Sequence, residues 1–321
     1  MGERKFYNAY TLEAVLTGID TVQNPLHPQV AEWAINENAR FESRVAERSY
    51  LRNVGGEWKV DESQFMFHRG AAGEYGLSDP SIYPSLIQIH GIDQEHTEDL
   101  AALSQRLHSE MRSLVNRWKK ESKKTNEEWL APYSHRTKAE EDVISVAKQF
   151  GVNPPSIRWV KGWPVSPATY NPARKELLLH EWLWKNSRRC DMAILALHEI
   201  VGHHYQEQRL HTSNAEAESC AMSCEALVQD VVGSLAPAIE WKCMRLCRAI
   251  LDLRLHARVG DYAIPESVWS HWSEKIGGAF DYTVPLPSET LRVAALPGQA
   301  LTYVLPPPTT KKGCHPKCKG L

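Results

Sequence analysis

LALHEIVGHHYQEQ, residues 195–208, is the stretch on which the reading of this chain turns. His198 and Glu199 open it as the metal helix of a zinc peptidase opens. In HExxH the two imidazoles stand one turn apart on one face, with the Glu between them as general base. Here the place of the second histidine, position 202, is Gly, and His203 and His204 follow it. On a regular helix, at about 100° per residue, His198 and His203 point roughly 140° apart, and His204 lies about 120° off on the other side. A straight α-helix aims neither pair at one ion. A π turn is one residue wider, brings i and i+5 close to one face, and is frequent at functional sites. Gly202 sits where the wide turn falls, so the spacing predicts a π-bulge or a bend there.

The following segment offers a third ligand. SNAEAESCAMSCEAL, residues 213–227, carries Glu216, Glu218 and Glu225 after a short turn around Thr212-Ser213. Helices joined by a short loop present side chains to one another. Glu218 and Glu225 are seven apart and share a face with Ala221 and Met222, so that face looks inward. A carboxylate there is costly unless it is paired or bound to metal.

The wider composition is that of a soluble globular protein, with 42% hydrophobic and 24% charged residues over 321 positions. A formal net charge of −2 supplies no field for nucleic acid or an anionic membrane, and neither is expected as a partner. The start, MGERKFYNAYTLEAV, lacks the apolar run of a signal peptide. No stretch approaches the roughly 18 apolar residues of a transmembrane helix. Cys220/Cys224 and Cys243/Cys247 repeat at i,i+4, which reads as small thiols on buried helix faces and as a reducing, cytoplasmic setting.

Three parts are expected: an N-terminal helical part, 1–155; a metal-binding part of the same fold, 156–305; and a disordered tail, 306–321. Residues 28–50 read as a helix and 51–92 mostly as loop. Leu100, Leu103, Leu107, Met111, Leu114 and Trp118 form an apolar stripe within a helix spanning about 93–124. A second helix covers 137–150 and stops at Gly151. Short β pieces follow at 156–160 and 176–182 around a Pro-rich turn, the second a candidate edge strand for an extended substrate. Trp163, Tyr170 and Trp184 could line a pocket. Helices then cover about 188–210, 214–234, 237–258 and 265–277, with a last pair at 287–304 broken at Pro297-Gly298. The fold class is mainly α, a multi-helix, metallopeptidase-like fold with a small β element before the histidine helix.

Four phrases in order carry a resemblance. HEIVGHHYQ (198–206), ESCAMSCEAL (218–227), RAILDLRLHARVG (248–260) and ETLRVAALPGQALTY (289–303) resemble HExxPGHHxQ, EGWALYAEQL, RLVVDTGIHAKGW and ExxRYxxxPGQALAY. These belong to the family known as domain of unknown function 885, regarded as helical zinc peptidases of the gluzincin kind. The chain resembles a shortened, divergent member. Between His198 and His203 it has one residue fewer than the family phrase, and Ser219-Cys220 replaces Gly-Trp. It is more distantly similar to tyrosine carboxypeptidases that trim tubulin tails, whose HExxxH phrase is a zinc site.

The resemblance implies one zinc ion per chain on His198, His203 and Glu218, with His204 as the alternative second histidine. It makes Glu199 the general base. Glu225 is read as orienting a metal histidine or as pairing with an arginine. His256, Arg292 and Tyr303 become candidates for holding an oxyanion or a substrate carboxylate, because charge develops on the carbonyl oxygen. The expected function is zinc-dependent hydrolysis of an amide in a peptide or peptide-like small molecule. A non-haem iron oxidative enzyme is the alternative, since Glu199 and His203 are i,i+4 and Glu218 and Glu225 are near. A third reading is an inactive scaffold that kept the fold.

Overall fold

The stripe of leucines folds as helix α1, Leu100–Glu121. It starts later than the periodicity suggests because Asp99 caps it, accepting the Ala102 N–H at 2.8 Å. The computed structural model describes residues 51–54, 57–60, 80–84, 87, 92, 99–160, 168–171, 174–205, 214–259, 265–278, 293 and 298–305. The expected helix at 28–50, Trp163, Glu289, Arg292, Pro297, the side chain of Glu216 and the tail from 306 lie outside them. Within the stretch read as loop, β1 (Leu51–Val54) and β2 (Glu57–Val60) form an antiparallel hairpin, pairing Leu51 with Val60.

Helix α2, Arg136–Gln149, ends before Gly151, which takes φ +74°. A three-stranded sheet follows, β3 (Ser156–Val160), β4 (Ala168–Asn171) and β5 (Glu176–His180), in the order β3-β5-β4. β4 falls in the stretch read as a Pro-rich turn. β5 is the central strand, parallel to β3 and antiparallel to β4. Glu176–His180 is therefore flanked by strands on both sides, which corrects its reading as an edge. The outer strand on the far side from β3 is β4.

Short α3, Glu181–Asn186, leads into α4, Arg189–Ala196, which continues without a break into a π-helical segment, Leu197–His204. The next elements are α5 (Asn214–Glu225), α6 (Val228–Val232), α7 (Ala236–His256), α8 (Pro265–Lys275) and a 3-10 turn, Gln299–Tyr303. The fold is mainly α with a small sheet just ahead of the histidine helix.

Helix α7 is the spine. Every residue in it is buried except Lys242 and Arg254, as befits a helix packed on all sides. Its buried charges each need a partner. Glu240 accepts from Arg188 and from the Trp118 indole, both at 2.6 Å, tying α7 to α1 and to the start of α4. One apolar cluster extends from Tyr83 to Leu305, so α1 and the histidine segment share a core. No described helix is long and apolar enough to cross a membrane. Cys190, Cys243 and Cys247 are buried free thiols, whereas Cys220 and Cys224 are each engaged in a disulfide. The inward face expected for this last pair is right, but its thiols are not free. Cysteine usage then no longer argues for a reducing compartment.

Candidate metal centre

The π segment solves the spacing problem. The Tyr205 amide reaches back to the Ile200 carbonyl, five residues away, the mark of a widened turn. His198 and His203 thereby meet edge to face, with their Nε2 atoms 3.2 Å apart. Gly202 serves a second purpose. A Cβ built there would lie 2.6 Å from the Ala221 Cα and 2.8 Å from its Cβ, a contact no side chain can make. Gly202 lets α5 touch the π segment, and that contact brings Glu218 to the histidines.

Glu218 Oε2 lies 3.4 Å from His198 Nε2 and 3.7 Å from His203 Nε2. Both separations are long for a hydrogen bond, and this buried oxygen has no hydrogen-bond partner. A buried acceptor without a hydrogen bond needs another way to offset its burial, and a cation between the two imidazole nitrogens is one. The spacing suits one. A tetrahedral ion with bonds of about 2.0–2.2 Å separates its ligand atoms by roughly 3.3–3.6 Å. An octahedral ion at similar bond lengths brings neighbouring ligands to about 3.0 Å. Among the described residues, these three are the group of His, Cys, Asp and Glu side chains placed to hold a metal.

Behind His198 stands a buried support. Its Nδ1 donates to Glu225 Oε1 at 2.8 Å, which leaves Nε2 facing His203 and Glu218. Arg245 of α7 grips both Glu225 oxygens, at 2.6 and 2.5 Å. The two readings of Glu225 are thus both realised: it orients a histidine and it pairs with an arginine. Burial alone would raise the Glu225 pKa, but the Arg245 guanidinium and the His198 ring hold it below the usual carboxylate value. Burial works against a charged His198, yet Glu218 and Glu225 together raise its pKa to about 9. The pocket's field favours a positive charge at this spot. Nothing within KCMRLCR marks Arg245 as the arginine that faces Glu225.

His204 is held elsewhere. Its Nε2 donates to the Asn153 carbonyl at 3.1 Å, so Nδ1 accepts the Tyr170 hydroxyl at 2.8 Å. The histidine brought to His198 and Glu218 is His203. Tyr170 stands against His204, and its backbone N–H donates to Glu199 Oε2 at 2.9 Å. The carboxylate of Glu199 is thus fixed by the outer strand β4.

The remaining candidates separate. Tyr303 lies buried with its ring 5.5 Å from the Arg245 guanidinium, and its hydroxyl accepts from Gln299 at 2.8 Å. His256 belongs to another network. Its Nε2 donates to the Val293 carbonyl at 2.9 Å, and its ring stacks on Tyr83. Burial lowers its pKa to about 4, so it is neutral and does not offer a cation to a substrate. Its neighbour Asp252 is a hub, accepting from the Tyr83 hydroxyl at 3.0 Å and from the Gly298 and Ala300 amides at 3.0 and 3.2 Å. Gly298 is required there, with φ +83° and the Ile87 backbone 3.2 Å from where a Cβ would sit.

No family model matches the chain. No curated protein matches it either. Among solved structures, the chain is similar to one described as "the putative lipoprotein from Colwellia psychrerythraea", at 16% identity and a TM-score of 0.35. The likeness covers 92% of this chain and 46% of that one, so this chain spans about half its length.

Proposed function

We propose that the protein is a zinc-dependent hydrolase that cleaves an amide bond in a peptide or peptide-like small molecule. The observation that carries this reading is the convergence of His198 Nε2, His203 Nε2 and the orphaned Glu218 Oε2 at separations of 3.2, 3.4 and 3.7 Å. Those separations lie nearer a tetrahedral ion than an octahedral one. Three protein ligands leave a fourth position for water, the mark of a catalytic rather than a structural zinc site. The iron alternative would draw on Glu225, whose carboxylate is already held by Arg245 and His198.

Zinc bound there would supply an acidified water and polarise the carbonyl under attack. The chain's own residues do the rest. Glu199, held by the Tyr170 amide, takes the proton of the attacking water and passes it to the leaving amine. Glu225 and Arg245 keep His198 in the tautomer that presents Nε2. Tyr303, beside Arg245, and Arg292 are the remaining candidates for holding the oxyanion.

Metal analysis of the purified protein tests the reading, with one zinc per chain expected. His198→Ala should lose both metal and hydrolysis. Glu199→Gln should keep the metal and lose about 10²–10⁴-fold in turnover. Full activity in Glu199→Gln, or iron in place of zinc, would overturn the mechanism.

A further inference from the structure

Helices α1, α7 and α8 border an open cleft of about 620 Å³ that is separate from the histidine cluster. Six of its lining residues are basic: His108, Arg112, Lys119, Arg254, His271 and Lys275. No carboxylate lines it among the described residues. The chain as a whole carries a formal charge of −2, so this one-sided lining is not a consequence of composition. The basic residues also act on one another. Burial lowers the pKa of His108, and Arg254, Arg112 and His271 lower it further by repulsion. Val115, Val268 and Trp272 give the cavity an apolar floor. Arginines supply forked donors suited to phosphoryl oxygens, and lysines supply point charges. The volume falls within the roughly 300–1,000 Å³ range of small-molecule sites.

We propose that this cavity binds a small, multiply charged phosphorylated compound, with Arg112 taking the phosphoryl oxygens and Lys119 and Lys275 closing the rim. The shared chemistry is a diphosphate, free or carried by a nucleoside. Titration calorimetry on the full chain distinguishes these, using pyrophosphate, ADP and orthophosphate as probes. Pyrophosphate should bind at one site per chain, more tightly than orthophosphate, and should weaken as salt is raised. Tighter binding of ADP than of pyrophosphate assigns the nucleoside form, and the reverse assigns the free form. Arg112 and Lys275 are exposed, so Arg112→Glu and Lys275→Glu can be made without disturbing the core. Each should weaken pyrophosphate by at least about tenfold with an unchanged melting temperature. His198→Ala should bind pyrophosphate as the parent does, which separates this cavity from the metal centre. Absence of saturable pyrophosphate binding, or binding untouched by both charge reversals but lost in His198→Ala, would overturn the proposal.

Discussion

Glu218 and Asp252 are both buried carboxylates on helices of one core, and they are treated in opposite ways. Around Asp252 the hydrogen-bond partners among the described residues are donors: the Tyr83 hydroxyl and the amides of Gly298 and Ala300. Around Glu218 Oε2 the neighbours are the Nε2 atoms of two imidazoles, neither in hydrogen-bond contact with it. A buried acceptor ringed by donors fastens one segment to another. A buried acceptor set between two imidazole nitrogens, with a hydrogen bond to neither, suits the cation that the proposed function places there. The contrast ties Asp252 to the fold and leaves Glu218 as the candidate metal ligand of the proposed hydrolase, although both phrases that contain them belong to the same resemblance.

That contrast can be broken by measurement. The largest effect is expected from Glu218→Ala, which should weaken zinc binding by more than the roughly 100-fold ceiling of supporting residues while leaving the melting temperature of the metal-free chain nearly unchanged. Glu225→Gln should cost about 10–100-fold in zinc affinity, measured by competition with a chelator, because His198 loses its orienting acceptor. Gly202→Ala drives a methyl into Ala221. It should destabilise the chain by about 1–3 kcal/mol in denaturant titrations and weaken zinc as α5 is pushed away.

Asp252→Asn sharpens the other side. It should lower stability by about 1–3 kcal/mol and leave zinc affinity alone; a loss of zinc instead would mean that the two carboxylates are not separate devices. The smallest effect is a pH slope. The pKa of His256 is lowered by burial to about 4, so the unfolded chain binds more protons than the folded one between about pH 6.5 and 4. Stability of the metal-free protein should therefore fall from this group as pH drops through that window. Asp252 works in the opposite sense, since burial raises its pKa to about 7. In His256→Asn the deficit relative to the parent should shrink as the pH is lowered, and a deficit constant with pH would contradict the neutral His256.

Much of the site could be read from residue order. The π turn follows from counting degrees around a helix, and the inward face of Glu218 and Glu225 follows from a seven-residue repeat. Long periodic segments such as α1, α2 and α7 announce themselves because each repeats its apolar positions many times. Other features depend on neighbours far along the chain. β4 is four residues long and sits in a stretch punctuated by Pro, so it carries no periodic signal of its own. The central place of β5 is a matter of sheet order, which its apolar LLL does not encode. Nothing singles out Arg245 until the helices around α7 are known. Gly202 is needed where the turn widens, but the closer constraint, the Ala221 backbone, lies on another helix.

The π turn has a consequence for how such sites are recognised. Removing Ile200 alone would turn His198-Glu199-Ile200-Val201-Gly202-His203 into HExxH, with the two imidazoles again on one face of an ordinary helix. The two spellings are one deletion apart, and each can bring the same side chains together because the helix absorbs the extra residue as width. A search for the shorter spelling passes over this chain. A search that allows one insertion next to a glycine in contact with the following helix does not.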